Sequence, residues 1–273
     1  MPSSEFDFSY MDTLRLESVG RGRIFFGQVT KSDPDRPILL LIHGGHHGAW
    51  CYAHYLQYFD NVGIPAAAMD MRGHGGLPQD ADLAEQGARE LAEDVIAFCQ
   101  MLARPVIPVC HSAGALVGAV AGEQMRFYGF GLLAPSPPGQ LECLHSLPLV
   151  PAGGLIPPPD QEICRHKFLA GEAVIDIRPF IHKLCPESPR LLNDRRSLAI
   201  HIDQTRFDMP ALCISAGRDR GDLHPEGQDL ETAHFFGAEY HCLEAAPHCM
   251  MVSAEWRKGA DLIADWYRRI TKP

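Results

Sequence analysis

Val109-Cys110-His111-Ser112-Ala113-Gly114 follows the β-branched pair Val106-Ile107 and runs straight into the small, apolar stretch Gly114-Ala115-Leu116-Val117-Gly118-Ala119. That succession predicts a buried strand, a sharp turn and a helix. A serine held at such a turn projects its hydroxyl above the end of a parallel sheet. Gly114, two positions later, lets the helix start close to the strand, which is the geometry of a nucleophile elbow. Nucleophilic catalysis by Ser112 is therefore expected, against the plainer alternative of a structural serine in an apolar stretch. One departure is visible: the Gly-x-Ser-x-Gly pattern carries Cys110 at its first glycine, so strand and helix have to pack around a thiol.

A serine hydroxyl is a poor nucleophile at neutral pH, so an imidazole must take its proton and a buried carboxylate must hold that imidazole in the right tautomer. The negative oxygen of a tetrahedral intermediate needs preorganised N–H donors as well. Each has a candidate. Ile38-Leu39-Leu40-Leu41-Ile42 reads as a buried strand feeding the glycine-rich loop His43-Gly44-Gly45-His46-His47-Gly48-Ala49-Trp50, whose backbone N–H groups can approach a bound oxygen. Ala211-Leu212-Cys213-Ile214-Ser215 leads to Asp219 beyond a strand end, with Asp208, Asp222 and Glu226 as rival carboxylates. Alternation in residues 239–244 suggests a last strand before His248, whose rivals are His224, His234 and His241. The chain order is Ser112, Asp219, His248, the order described for α/β-hydrolases.

At this point the chain resembles the α/β-hydrolase superfamily, from the first strand near Leu14 to the last helix near Ile270. Residues 42–52 are similar to the oxyanion segment of the plant methylesterase and hydroxynitrile lyase branch, and Asp70-Met71-Arg72-Gly73-His74-Gly75 resembles the Asp-x-Arg-Gly-x-Gly turn of many bacterial members. The resemblance implies an α/β fold: a mostly parallel eight-stranded sheet flanked by helices, with a lid inserted after the sixth strand. It also implies Ser112 as nucleophile, Asp219 as acid, His248 as base, and the N–H groups of Gly45 and Ala113 as oxyanion donors. Asp70, Arg72 and His74 read more simply as shaping their turn. His43, His46 and His47 suggest a metal cluster only weakly, because adjacent histidines diverge and no Asp, Glu or Cys set at ligand spacing accompanies them. No metal and no cofactor is implied.

Residues 14–16 and 23–29 read as leading strands, 50–59 as a helix, 64–69 as a strand and 83–102 as a helix with Leu91, Val95, Phe98 and Leu102 at helical spacing. Strand 128–133 follows the elbow helix. Eight prolines between Pro135 and Pro159 then exclude a strand or long helix, and a more helical stretch spans 160–197. The organisation expected is a core of residues 1–135 and 209–273 with a lid of 136–208. Lid residues such as Leu144, Phe168 and Phe180 either line an apolar pocket above Ser112 or form the lid's own core. Its arginines, Arg178, Arg190, Arg195, Arg196 and Arg206, read as a solvated face or as a site for an anionic substrate group. The closing helix presents Trp256, Ala260, Ile263, Ala264 and Tyr267 on one face.

With 273 residues and 46% hydrophobic content the chain can fill a sizeable core. A formal net charge of −10 argues against nucleic acid or an anionic membrane surface as partner. Nine cysteines, mostly single within apolar segments, fit reduced thiols in a cytoplasmic protein. No basic and apolar leader is evident near Met1, and no apolar run reaches the roughly 18 residues of a spanning helix. The partner expected is a small-molecule acyl substrate, with a thioester carrier as a further candidate; oligomeric state is left open. The reaction expected is hydrolysis of an ester, thioester or lactone of a small apolar acid through an acyl-serine. A lyase or carbon–carbon bond hydrolase using the same triad, or a ligand-binding receptor, is the alternative. The resembling lyases carry a hydroxyl residue after the loop histidine and a lysine near the serine. Here Gly44 follows His43, and although Lys167 and Lys183 lie in the lid, nothing in the sequence places either beside Ser112.

Overall fold

The computed structural model describes residues 5–31, 35–171, 176–219, 221 and 223–272. Its strands are β1 (Arg15–Val19), β2 (Gly22–Phe26), β3 (Ile38–Ile42), β4 (Ala66–Asp70), β5 (Val106–His111), β6 (Phe130–Leu133), β7 (Ala211–Ala216) and β8 (Glu239–Leu243). They form one eight-stranded sheet in the order β1-β2-β4-β3-β5-β6-β7-β8. β1 with β2, and β2 with β4, pair antiparallel; every other pairing is parallel. The helices are α1 (Ala53–Asn61), α2 (Ala88–Leu102), α3 (Ala113–Gln124), α4 (Gln161–Ile163), α5 (Arg178–Ile181), α6 (Pro189–Arg196), α7 (Gln228–Phe235) and α8 (Trp256–Ile270).

Central strands are apolar on both faces because helices cover both, as parallel sheets require. Leu39, Leu41, Ile107 and Val109 join a core with Tyr55 and Phe59 of α1 and Ile263 and Tyr267 of α8. Their neighbours Ile38, Leu40, Ile42, Val106 and Cys110 point the other way, onto Leu91, Val95 and Phe98 of α2 and Leu116 and Val117 of α3. Register places Ile42 beside Cys110 and His111 beside Leu133, so the chain segments that follow these strands emerge at one end of the sheet.

The structure shortens several expected elements. β2 stops at Phe26 because the Asp60 carboxylate accepts from the N–H groups of Gln28 and Val29 at 2.9 and 3.0 Å and draws the chain into a 3-10 turn. The helix expected over 83–102 breaks at Gly87. There Glu90 accepts from the Gly87 N–H, and the buried Asp194 of α6 caps the Ala88 N–H at 2.8 Å. Residues 136–208 contribute no strand to the sheet among those described, and 160–197 resolves into α4, α5 and α6, with α4 continued by a π-helical turn, Cys164–Phe168. No described helix is long and apolar enough to cross a membrane.

Candidate active site

Ser112 joins β5 to α3 at φ 52° and ψ −125°, a left-handed conformation that costs a non-glycine residue about 1–3 kcal/mol. It persists because the backbone is held from several sides. The Ser112 N–H donates to Leu133 O at 3.1 Å, and its carbonyl accepts from Ala115 and Ser136 at 2.9 and 3.0 Å. A Cβ at Gly114 would stand 2.3 Å from the His43 carbonyl oxygen, so only glycine lets α3 pass the loop that follows β3. The thiol at Cys110 is accommodated across the helix: a Cβ at Gly118 would lie 2.4 Å from its Sγ. The missing elbow glycine is thus compensated by a glycine eight residues later.

Loops after β7 and β8 bring two side chains to the serine. Ser112 Oγ donates to His248 Nε2 at 3.0 Å, and His248 Nδ1 donates to Asp219 Oδ2 at 2.5 Å. Burial alone would lower the His248 pKa; the Asp219 charge and hydrogen bond outweigh it and raise the value above 6.5. Burial likewise opposes the Asp219 carboxylate, and His248 reverses that, leaving its pKa lowered. The competing residues are elsewhere. Asp208 pairs with Arg126 at the surface, Glu226 and His234 are exposed, and His241 pairs with Glu239. Asp222 lies outside the described residues. His224 alone is close, its ring 4.7 Å from that of His248, but its Nδ1 stays 3.5 Å from Asp219 and 3.7 Å from Asp229.

Around this chain the loop histidines diverge. His43 donates from Nδ1 to Gly44 O and accepts at Nε2 from the Met71 N–H. His46 donates to Cys185 O, and His47 donates to Gly45 O while its Nε2 meets the Cys249 thiol at 3.3 Å. Burial pushes His43 and His47 down to about 3, keeping both neutral. Asp219, His224 and His248 are the described group whose ligand atoms lie within 4.8 Å of one another, yet both nitrogens of His248 are already engaged. From the 136–208 segment, Phe168 stacks on the His248 ring at 5.9 Å and accepts from the Cys249 N–H at 2.9 Å. Phe180 is instead fully buried against Phe6 and Trp50, and Leu149 is exposed. Phe168 and Phe180 also meet each other at 6.3 Å and both face His47, so the wall beside His248 is continuous with the core around Phe180.

A sequence model of the alpha/beta hydrolase family matches residues 39–260. The chain belongs to the α/β-hydrolase family. It is 34% identical to protein phosphatase methylesterase 1 of mouse over 125 residues, and 32% identical to the human protein over 126 residues. Either alignment covers 44% of this chain and only 31% of the relative. Among solved structures, a methylesterase from Arabidopsis superposes with a TM-score of 0.64 at 18% identity, over 84% of this chain and 98% of that one. A lipase described as putative, from Acinetobacter baumannii, gives 0.71 at 14% identity, over 97% and 95% of the two chains.

This α/β-hydrolase also holds buried polar residues that sequence reading missed. Glu187 is fully buried and accepts from His46 N, His74 Nε2 and Ser188 N at 2.9, 3.0 and 2.7 Å. The signal was the Asp70-Met71-Arg72-Gly73-His74-Gly75 turn itself. Asp70 binds Ala49 N and Arg23, and Arg72 binds Asp94, so His74 still required a partner. The arginines of 136–208 are not one solvated face. Arg178 pairs with Asp176 at the surface, whereas Arg195 is buried on Leu223 O and Gln228 Oε1.

Proposed function

We propose that this α/β-hydrolase cleaves a carboxylic ester, thioester or lactone of a small apolar acid through an acyl-Ser112 intermediate. The hydrogen-bonded run from Ser112 through His248 to Asp219 carries the reading. Ser112 Oγ attacks the carbonyl carbon as its proton passes to His248 Nε2, and Asp219 stabilises the imidazolium. The tetrahedral intermediate collapses when His248 returns that proton to the leaving alkoxide or thiolate. Water then attacks the acyl-enzyme by the same transfers in reverse order. Gly45 and Ala113 supply the oxyanion donors, worth about 3 kcal/mol each. Support comes from Ala113 opening α3, where an N–H has no intrahelical acceptor, and from the Gly45 N–H, which meets no partner among the described residues. Methylesterase in the names of a relative and a neighbour supports a small-alcohol ester as substrate. Residues 136–208 act as the lid, with Phe168 as part of its inner wall, and the free thiols support a cytoplasmic setting.

Hydrolysis is favoured over lyase chemistry because Lys167 and Lys183 are both exposed, and Lys183 lines a surface cavity of about 430 Å³ with Phe8, Trp50 and His182. The test is turnover of a panel of methyl esters, thioesters and lactones in water enriched in heavy oxygen. The label is expected in the product acid. Release of a carbonyl compound from a cyanohydrin, with no ester or thioester hydrolysis, would overturn the reading.

A further inference from the structure

We infer that Glu187, from the 136–208 segment, is a positioning residue that holds the oxyanion loop through its ion pair with His74. This rests on the serine-hydrolase reading above. The loop needs such a hold: His46, directly after Gly45, sits at φ 65°, a left-handed conformation that a histidine keeps only when its surroundings impose it. Three contacts impose it, all from residues 185–187. Glu187 Oε2 accepts from the His46 N–H at 2.9 Å, the Cys185 N–H donates to the His46 carbonyl at 2.9 Å, and His46 Nδ1 donates to Cys185 O at 3.0 Å. The same carboxylate lies against Gly45, 3.3 Å from where a Cβ would stand.

A bare carboxylate beside an oxyanion hole would repel the charge that the hole exists to bind. His74 prevents this. Its Nδ1 faces Arg72 O at 2.8 Å and its Nε2 faces Glu187 Oε2 at 3.0 Å. Both partners are acceptors, so both nitrogens must donate and the ring is an imidazolium. Burial opposes that charge, yet Glu187 raises the His74 pKa, while His74 brings Glu187 down to about 2. The pair is therefore ionised and locally neutral, and it ties the 136–208 segment to the loop bearing Gly45.

The test compares wild type with Glu187→Gln, whose amide oxygen can still accept from His46 but cannot balance an imidazolium, and with Glu187→Asp, which keeps the charge on a shorter arm. On the best ester, Glu187→Gln is expected to lower kcat about tenfold or more with KM changed less than about threefold, as for a group that acts only in the transition state. A trifluoromethyl ketone analogue should weaken in parallel with kcat, and Glu187→Asp should recover part of the loss. Folded variants with wild-type kcat and analogue affinity, or a rise in KM alone, would overturn the inference. Nitrogen NMR of wild type at pH 7.5 tests it without any variant: two N–H protons on His74 are expected, and a neutral ring contradicts it. Wild type that reacts with a fluorophosphonate at Ser112 while Glu187→Gln reacts equally fast sinks the inference alone. Wild type that does not react sinks the hydrolase reading instead.

Discussion

Two buried histidine–carboxylate pairs, His248 with Asp219 and His74 with Glu187, are wired in opposite senses. His248 donates from one nitrogen and accepts a proton-bearing hydroxyl at the other, so it is neutral and able to take a proton. His74 faces an acceptor at both nitrogens, so its proton is fixed in place. Both pairs share burial and a nearby carboxylate, and both imidazole pKa values are raised. On the proposed reading, what separates the base, His248, from the strut, His74, is the partner of the second nitrogen. A serine hydroxyl leaves a lone pair available, and a backbone carbonyl removes it.

The largest expected effect comes from breaking the first pair. His248→Ala should lower kcat by about 10⁵ or more, since a serine without its base retains little beyond binding and the oxyanion donors. Asp219→Asn should cost about 10⁴, because an amide can stabilise the wrong tautomer. His224→Phe and Asp229→Asn should each change kcat less than about tenfold. Steady-state kinetics on one ester ranks all four, and a loss in Asp229→Asn equal to that in Asp219→Asn would show the acid role to be shared.

The second pair answers to stability. Glu187→Leu leaves a buried imidazolium unpaired and should cost about 3–5 kcal/mol in urea unfolding, and Glu187→Leu with His74→Leu should recover most of it. Additive losses in that double-mutant cycle would mean that the two side chains do not act as a pair.

pH next separates His248 from the buried histidines that stay neutral. Only neutral His248 can accept from Ser112, and Asp219 raises its pKa, so kcat/KM should rise with pH through a limb above 6.5 and that limb should move down in Asp219→Asn. Stability has the same direction of dependence at the neutral histidines, in a lower pH window. His43 and His47, held down to about 3, and His111, held well below 6.5 by burial, bind protons more weakly folded than unfolded. Their contribution is complete above 6.5 and is lost as pH falls toward 3, by up to about 1.4 kcal/mol per pH unit for each. Unfolding free energy measured from pH 7 to pH 4 should therefore fall from near 6.5 downward; a flat curve to pH 5 would contradict the assignment.

The elbow and the 136–208 segment differ in how far the sequence discloses them. Ser112, Asp219 and His248 each follow a strand that is recognisable from its own apolar run, and the parallel sheet brings those strand ends together. Glu187 follows no such run. It sits among prolines and short turns, paired with a histidine 113 positions earlier, and nothing in local periodicity links the two. Arg195 resembled its exposed neighbours for the same reason, since what buries it is Gln228 and the loop before α7. Boundaries were missed where a side chain from elsewhere captured backbone N–H groups, as Asp60 does after β2 and Asp194 does at α2. The Cys110 departure was visible, but its compensation by Gly118 needed the helix. Gly118→Ala should cost about 1–3 kcal/mol by overpacking, less than the loss expected from Glu187→Leu. In a Cys110→Ala background that added cost should largely disappear, and an equal cost in both backgrounds would separate the two positions.

The most direct test is of Ser112 itself. Wild-type protein treated with a fluorophosphonate at pH 8 and digested for mass spectrometry should carry one adduct, on the peptide containing Ser112. Ser112→Ala should carry none while keeping its unfolding transition, and His248→Ala should react far more slowly. Labelling at another serine, or ester turnover that survives Ser112→Ala, would contradict the assignment of this elbow as the reacting centre.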